Sequence, residues 1–105
     1  MITTITDANF KTEVVESDKP VLIDFWAPWC NPCRIISPVI DEISTDVSYV
    51  KVGKVNVDEN PELVKSFGIQ SIPYLVVVNK GKPEAEITGV VPLPEILKMV
   101  EKYKQ

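Results

Sequence analysis

Apolar positions along the chain alternate between short runs of strand length and longer stretches with helical spacing. "MITTIT" (1–6) predicts a short strand, and Asp7 is placed to cap a helix whose apolar stripe is Phe10, Val14 and Val15. "PVLIDFWA" (20–27) is a continuous apolar run, the pattern of a strand covered on both faces. A second helix is expected to begin near the cysteines and to bury Ile35, Ile36, Val39, Ile40 and Ile43; Pro38 lies inside it and is expected to kink it. "YVKVGKVNVD" (49–58) reads as a third strand. "NPELVKSFG" (60–68) reads as a short helix with Asn60 as cap, Pro61 in the first turn and Gly68 as terminator. "YLVVV" (74–78) is a fourth strand, and the polar "NKGK" connects it tightly to "PEAEITG" (83–89), a weaker strand suited to an antiparallel edge. "LPEILKMVEKYK" (93–104), apolar at Ile96, Leu97, Met99, Val100 and Tyr103, closes the chain as an amphipathic helix.

The resulting order, βαβαβαββα, carries no repeat or linker and predicts a single α/β domain over residues 1–105. Strands joined through helices imply a parallel portion with helices on both faces. Sites in such sheets lie beyond the carboxyl ends of the strands. The chain's two cysteines, Cys30 and Cys33, stand just there, after the second strand.

Composition narrows the function. With 45% hydrophobic and 25% charged residues, 105 residues suffice for one domain with its own core. The net charge of -4 offers no basic stripe for a phosphate backbone, so nucleic acid is not an expected partner. The first residues lack a basic stretch followed by an apolar one, and no apolar run approaches the ~18 residues of a membrane span. No membrane association, a cytoplasmic location and a monomer are the expectations. Histidine is absent, which removes imidazole both as general base and as metal ligand.

Three readings of the cysteine pair compete. Residues three apart on a helix have Cα atoms about 5 Å apart, inside the roughly 4.4–6.8 Å range of disulfides, so the pair can close. As a staple it is poor: the chain-entropy account gives a four-residue loop only about 2 kcal/mol. As a zinc site it supplies two ligands of four, and carboxylates or a second chain would have to complete it. A c-type haem site is excluded because Arg34 follows the second cysteine. As a redox centre it gains from its position, since the unpaired N–H groups at a helix start favour a thiolate. Cys30 is then the expected nucleophile, and Cys33, one turn inside and better shielded, the resolving thiol. Pro32 withholds one N–H from the Cys30 thiolate, which makes the dithiol a better reductant.

"VLIDFWAPWCNPC", Pro38 in the following helix, "GKVNVD" and "SIPYLVVVNKGK" together resemble the thioredoxin family along essentially the whole chain. The resemblance implies the thioredoxin fold, a central five-stranded mixed β-sheet flanked by four helices. It also implies a protein disulfide reductase without prosthetic cofactor, recharged by an NADPH-linked or ferredoxin-linked reductase. Asn31 stands where thioredoxins usually carry glycine, and Tyr74 where threonine is common.

The same resemblance assigns roles around the pair. Asp24, a carboxylate in an apolar strand whose pKa burial would raise, becomes the base for the Cys33 proton; the competing reading is a surface aspartate on an edge strand. Lys54 matches the lysine that tunes this acid, against the ordinary reading of a solvated surface charge. Pro73 is implied to be cis, with the Ile72 backbone left to pair with an extended substrate peptide. Trp29, Ile72, Pro73, Gly89 and Val90 would form the contact patch. Trp26 matches a tryptophan packed beneath the site, with plain core packing as its competing role. Asn31 is expected to donate its amide toward the Cys30 sulfur. The rivals to a reductase are an oxidase or isomerase, which in this superfamily tends to differ where Pro32 stands, and a scaffold that binds without turnover.

Overall fold

The computed structural model describes residues 2–104; Met1 of the expected first strand and Gln105 lie outside them. Five strands form one sheet in the order β1-β3-β2-β4-β5. They are β1 (Ile2–Thr4), β2 (Val21–Trp26), β3 (Lys51–Asn56), β4 (Tyr74–Asn79) and β5 (Lys82–Thr88). β1 and β2 flank β3 in parallel, while β4 pairs antiparallel with both β2 and β5. The sheet is therefore mixed, with β5 the expected antiparallel edge.

Alternation along the strands divides the core in two. Leu22, Val52, Leu75 and Val77 face α1 (Asn31–Asp46) and α3 (Leu93–Val100), where Ile36, Ile40, Ile43, Ile96 and Val100 cover them. Val21, Ile23, Phe25, Val55, Val76 and Val78 face the π-helical turn Lys11–Val15 and α2 (Pro61–Phe67), which contribute Val14 and Leu63. With helices on both faces, β2 is buried from Val21 to Phe25, as its unbroken apolar run implies.

Three local expectations are corrected. Ile35 does not face the core: it is 65% exposed, because the buried stripe of α1 runs Cys33, Ile36, Ile40, Ile43 and leaves it outside. Val15 is likewise exposed, so Val14 carries the burial of its turn.

The third correction concerns the start of α2. Asp7 does not cap the helix that follows it; its carboxylate accepts from the N–H groups of Glu62 and Leu63 at the start of α2. Asn60 stands at the N-cap position of α2 as expected, but its side-chain oxygen accepts from the Asp7 N–H rather than from the helix. The first helical segment is opened by Thr6 and Asn9, whose side chains each accept from the other's backbone N–H, a capping-box exchange. Gly68 ends α2 at φ 61°, a left-handed conformation that glycine takes without a Cβ penalty. α1 runs through Pro38 without a break in its span.

Candidate active site

β2 ends at Trp26, and five residues later α1 begins with Cys30 as its N-cap. Cys30 and Cys33 are joined as a disulfide with Cα atoms 5.3 Å apart, close to the spacing expected of one helical turn. The Cys33 N–H donates to Cys30 Sγ at 3.2 Å, so one unpaired donor of the helix start points at that sulfur. Pro32 supplies no N–H of its own. Asn31 is exposed, and among the described residues the donor on Cys30 Sγ is the Cys33 backbone, not the Asn31 amide.

Shielding does not distinguish the two thiols as expected: both are 4% exposed, because the closed disulfide presses both sulfurs against Trp26, Ala27 and Ile72. What distinguishes them is the opening each faces. Cys30 lines a groove of about 540 Å³ with Trp29, Asn31, Pro32, Val57, Ile69 and Ile72. Cys33 lines a separate pocket of about 220 Å³ with Asp24, Trp26, Arg34, Ser37 and Lys54.

The groove is apolar and held by its neighbours. Trp29 is 67% exposed, and its indole N–H donates to both carboxylate oxygens of Asp58 at 3.1 Å. The Ile72–Pro73 bond is cis, and Pro73 is buried at the entry to β4. Gly89 sits at φ 90° and donates its N–H to the Pro73 carbonyl at 2.8 Å. Gly89 and Val90 do not line the groove; Val90 lies beside it in sequence and is 48% exposed.

The pocket is where the buried acid lies. Asp24 shares the α1-facing side of β2 with Leu22, and at 1% exposure it is no surface aspartate. Burial pushes its pKa from 3.8 up to about 6; Lys54 pulls it down and Asp41 pushes it up. Its Oδ1 has no hydrogen-bond partner among the described residues. Lys54 stands opposite Asp24 in the β2–β3 register, yet its ammonium donates to Ser37 Oγ at 2.9 Å and lies 3.8 Å from Asp41 Oδ1. Trp26 is half-buried against the cysteines and walls this pocket.

Ser37, Asp41 and Asp58 escaped the reading of the sequence. Ser37 had only a positional signal, its place one turn after Cys33 on the same helix face. Asp58 had a weaker signal, its place just past the carboxyl end of a strand.

An internal disulfide at a helix start, open on one side to an apolar groove and on the other to a buried acid, is built for thiol–disulfide exchange. Comparison with known proteins agrees. The chain matches the family model described as Thioredoxin over residues 1–102. It is 49% identical over 100 residues to "Thioredoxin 1" of Synechococcus elongatus, a match covering 94% of each chain. It is 45% identical over 103 residues to "Thioredoxin" of Pyropia yezoensis, covering 97% of this chain and 96% of that one. With "Thioredoxin M-type, chloroplastic" of Chlamydomonas reinhardtii it shares 49% over 100 residues, 94% of this chain and 71% of the other. The chain belongs to the thioredoxin family and is a thiol–disulfide oxidoreductase.

Proposed function

We propose that the protein reduces disulfides of other proteins, with Cys30 as the attacking thiolate and Cys33 as the thiol that completes release. The observation that carries this division is that the two sulfurs face different openings: Cys30 faces the groove, where a peptide fits, and Cys33 faces the pocket with Asp24. In the first step the Cys30 thiolate attacks a substrate disulfide, forming a mixed disulfide and expelling one substrate thiolate, which takes a proton from water. In the second, Asp24 accepts the Cys33 proton, the Cys33 thiolate attacks Cys30 Sγ, and the second substrate thiolate leaves. Two electrons pass to the substrate, and the Cys30–Cys33 disulfide remains.

The peptide lies along the groove between Trp29 and Ile72. Ile72 belongs to no strand and forms no backbone hydrogen bond among the described residues, which supports pairing there with an added extended segment. Gly89 holds Pro73 in place, and Val90 extends the contact patch. Lys54 tunes Asp24 from the neighbouring strand, and Asn31, Pro32 and Trp26 tune the disulfide. The reaction needs no prosthetic group; a reductase, NADPH- or ferredoxin-linked, restores the dithiol. The setting we propose is the cytoplasm, with the protein a single monomeric domain carrying electrons between that reductase and its targets. No described helix is long and apolar enough to cross a membrane.

Trapping tests the division of labour. Cys33→Ser is expected to hold substrates as stable mixed disulfides through Cys30, and Cys30→Ser to hold few; equal capture by both variants contradicts it. Acceleration of insulin reduction by the dithiothreitol-reduced protein separates a reductase from a scaffold.

A further inference from the structure

The pocket behind the disulfide contains two polar side chains that the reaction above does not use, Arg34 and Ser37, and Ser37 is the one bonded to Lys54. Ser37 Oγ accepts a hydrogen bond from Lys54 Nζ at 2.9 Å, and both residues line the pocket with Asp24 and Cys33. Asp41, one turn further along α1, lies 3.8 Å from the same ammonium but outside the pocket, with its side chain 61% exposed. The ammonium is thus shared between an inner neutral partner and an outer charged one.

We propose that Ser37 is a positioning residue for Asp24: its hydroxyl holds the Lys54 ammonium inside the Asp24–Cys33 pocket against the outward pull of Asp41. The proposal rests on the reading of Asp24 as acceptor of the Cys33 proton. Its physical basis is the position dependence of Coulomb attraction. A cation inside a low-dielectric pocket acts strongly on a buried carboxylate, and the same cation drawn out to an exposed aspartate is screened by water.

The remaining groups around Asp24 leave Lys54 as the cation that matters. From α1, Arg34 ties its guanidinium to the Pro28 carbonyl at 2.7 Å at the pocket rim, Cys33 is neutral in the disulfide, and Asp41 acts from outside. From β4, the residue opposite Asp24 is Leu75, which carries no charge. From β3 comes Lys54 itself.

The test is titration of the Asp24 carboxyl by its ¹³C shift in the oxidised protein, where neither cysteine titrates. Ser37→Ala is expected to raise the Asp24 midpoint by about half a pH unit, as the ammonium relaxes toward Asp41. Ser37→Thr, which keeps a hydroxyl, is expected to restore it. In a Lys54→Met background Ser37→Ala is expected to add nothing. A midpoint that stays or falls in Ser37→Ala overturns the proposal, as does a rise that persists without Lys54. Release of a mixed disulfide, followed separately, is expected to slow about twofold at pH 6 in Ser37→Ala and to converge with the parent at pH 8. If the midpoint rises while release is unmoved by both Ser37→Ala and Asp24→Ala, the positioning stands and the proton-acceptor role of Asp24 fails.

Discussion

Burying Asp24 has a cost that depends on pH, and its sign is set by the carboxyl's pKa. A carboxyl that binds its proton more tightly folded than unfolded contributes stability that is complete below pH 3.8 and is lost as pH rises through about 6. The gap between those values, at about 1.4 kcal/mol per pH unit, is about 3 kcal/mol. Urea denaturation of oxidised Asp24→Ala is therefore expected to show its stability relative to the parent improving by about 2.5 kcal/mol between pH 4 and pH 8, since part of the effect is already gone at pH 4. A pH-independent difference contradicts this. In turnover the same variant is expected to lose most near neutral pH and little at alkaline pH, where Cys33 ionises unaided. Asn31 acts on the other thiol. Its amide is not the donor on Cys30 Sγ in the disulfide, so a bond it gives to the thiolate would stabilise the reduced form alone. Asn31→Gly is then expected to raise the Cys30 pKa and lower the reduction potential by roughly 10 to 30 mV, from one bond of ~0.5 to 1.5 kcal/mol. Equilibration against a glutathione couple measures it, and an unchanged or less negative potential contradicts it.

At the scale of elements, α2 is started from a distance. Its first N–H groups are satisfied by Asp7, which lies 55 and 56 residues before its two donors and carries the negative charge favoured at a helix start. Asp7→Ala is expected to destabilise the fold by about 1 kcal/mol, and to raise amide exchange at Glu62 and Leu63 before it touches the first helical segment. Reading along the chain assigned each cap to the nearest helix, which is where local chemistry usually places it. The reach of Asp7 to α2 depends on the long-range hydrogen bonds that join it to Asn60, Glu62 and Leu63, and no local pattern encodes those. Strand identities were legible for the opposite reason, since a buried central strand writes its environment into every residue, as β2 does from Val21 to Phe25. The Asp24 site was legible as a break in that run. Ser37 was not, because a serine inside a helix reads as solvated until Lys54 is known to reach it from another strand.

For the whole molecule, the sheet sets the disulfide at one end with the two cavities on either side of it. Groove and pocket have no lining residue in common: Cys30 belongs to the first and Cys33 to the second. On the proposed division of labour, the linked sulfurs act as a partition, with a docking berth on one side and a vent on the other. A large folded client seated in the berth leaves the vent open, so protons go on exchanging with solvent while the client is still covalently attached. Client bulk then governs how fast a complex forms and has no purchase on how its detachment answers to acidity. Detachment of a short disulfide peptide and of a folded protein from the mixed disulfide is expected to follow one pH midpoint, even where their absolute rates differ. Stopped-flow release of the two at matched pH values checks it: a midpoint displaced only for the large client would mean that its bulk stops the vent.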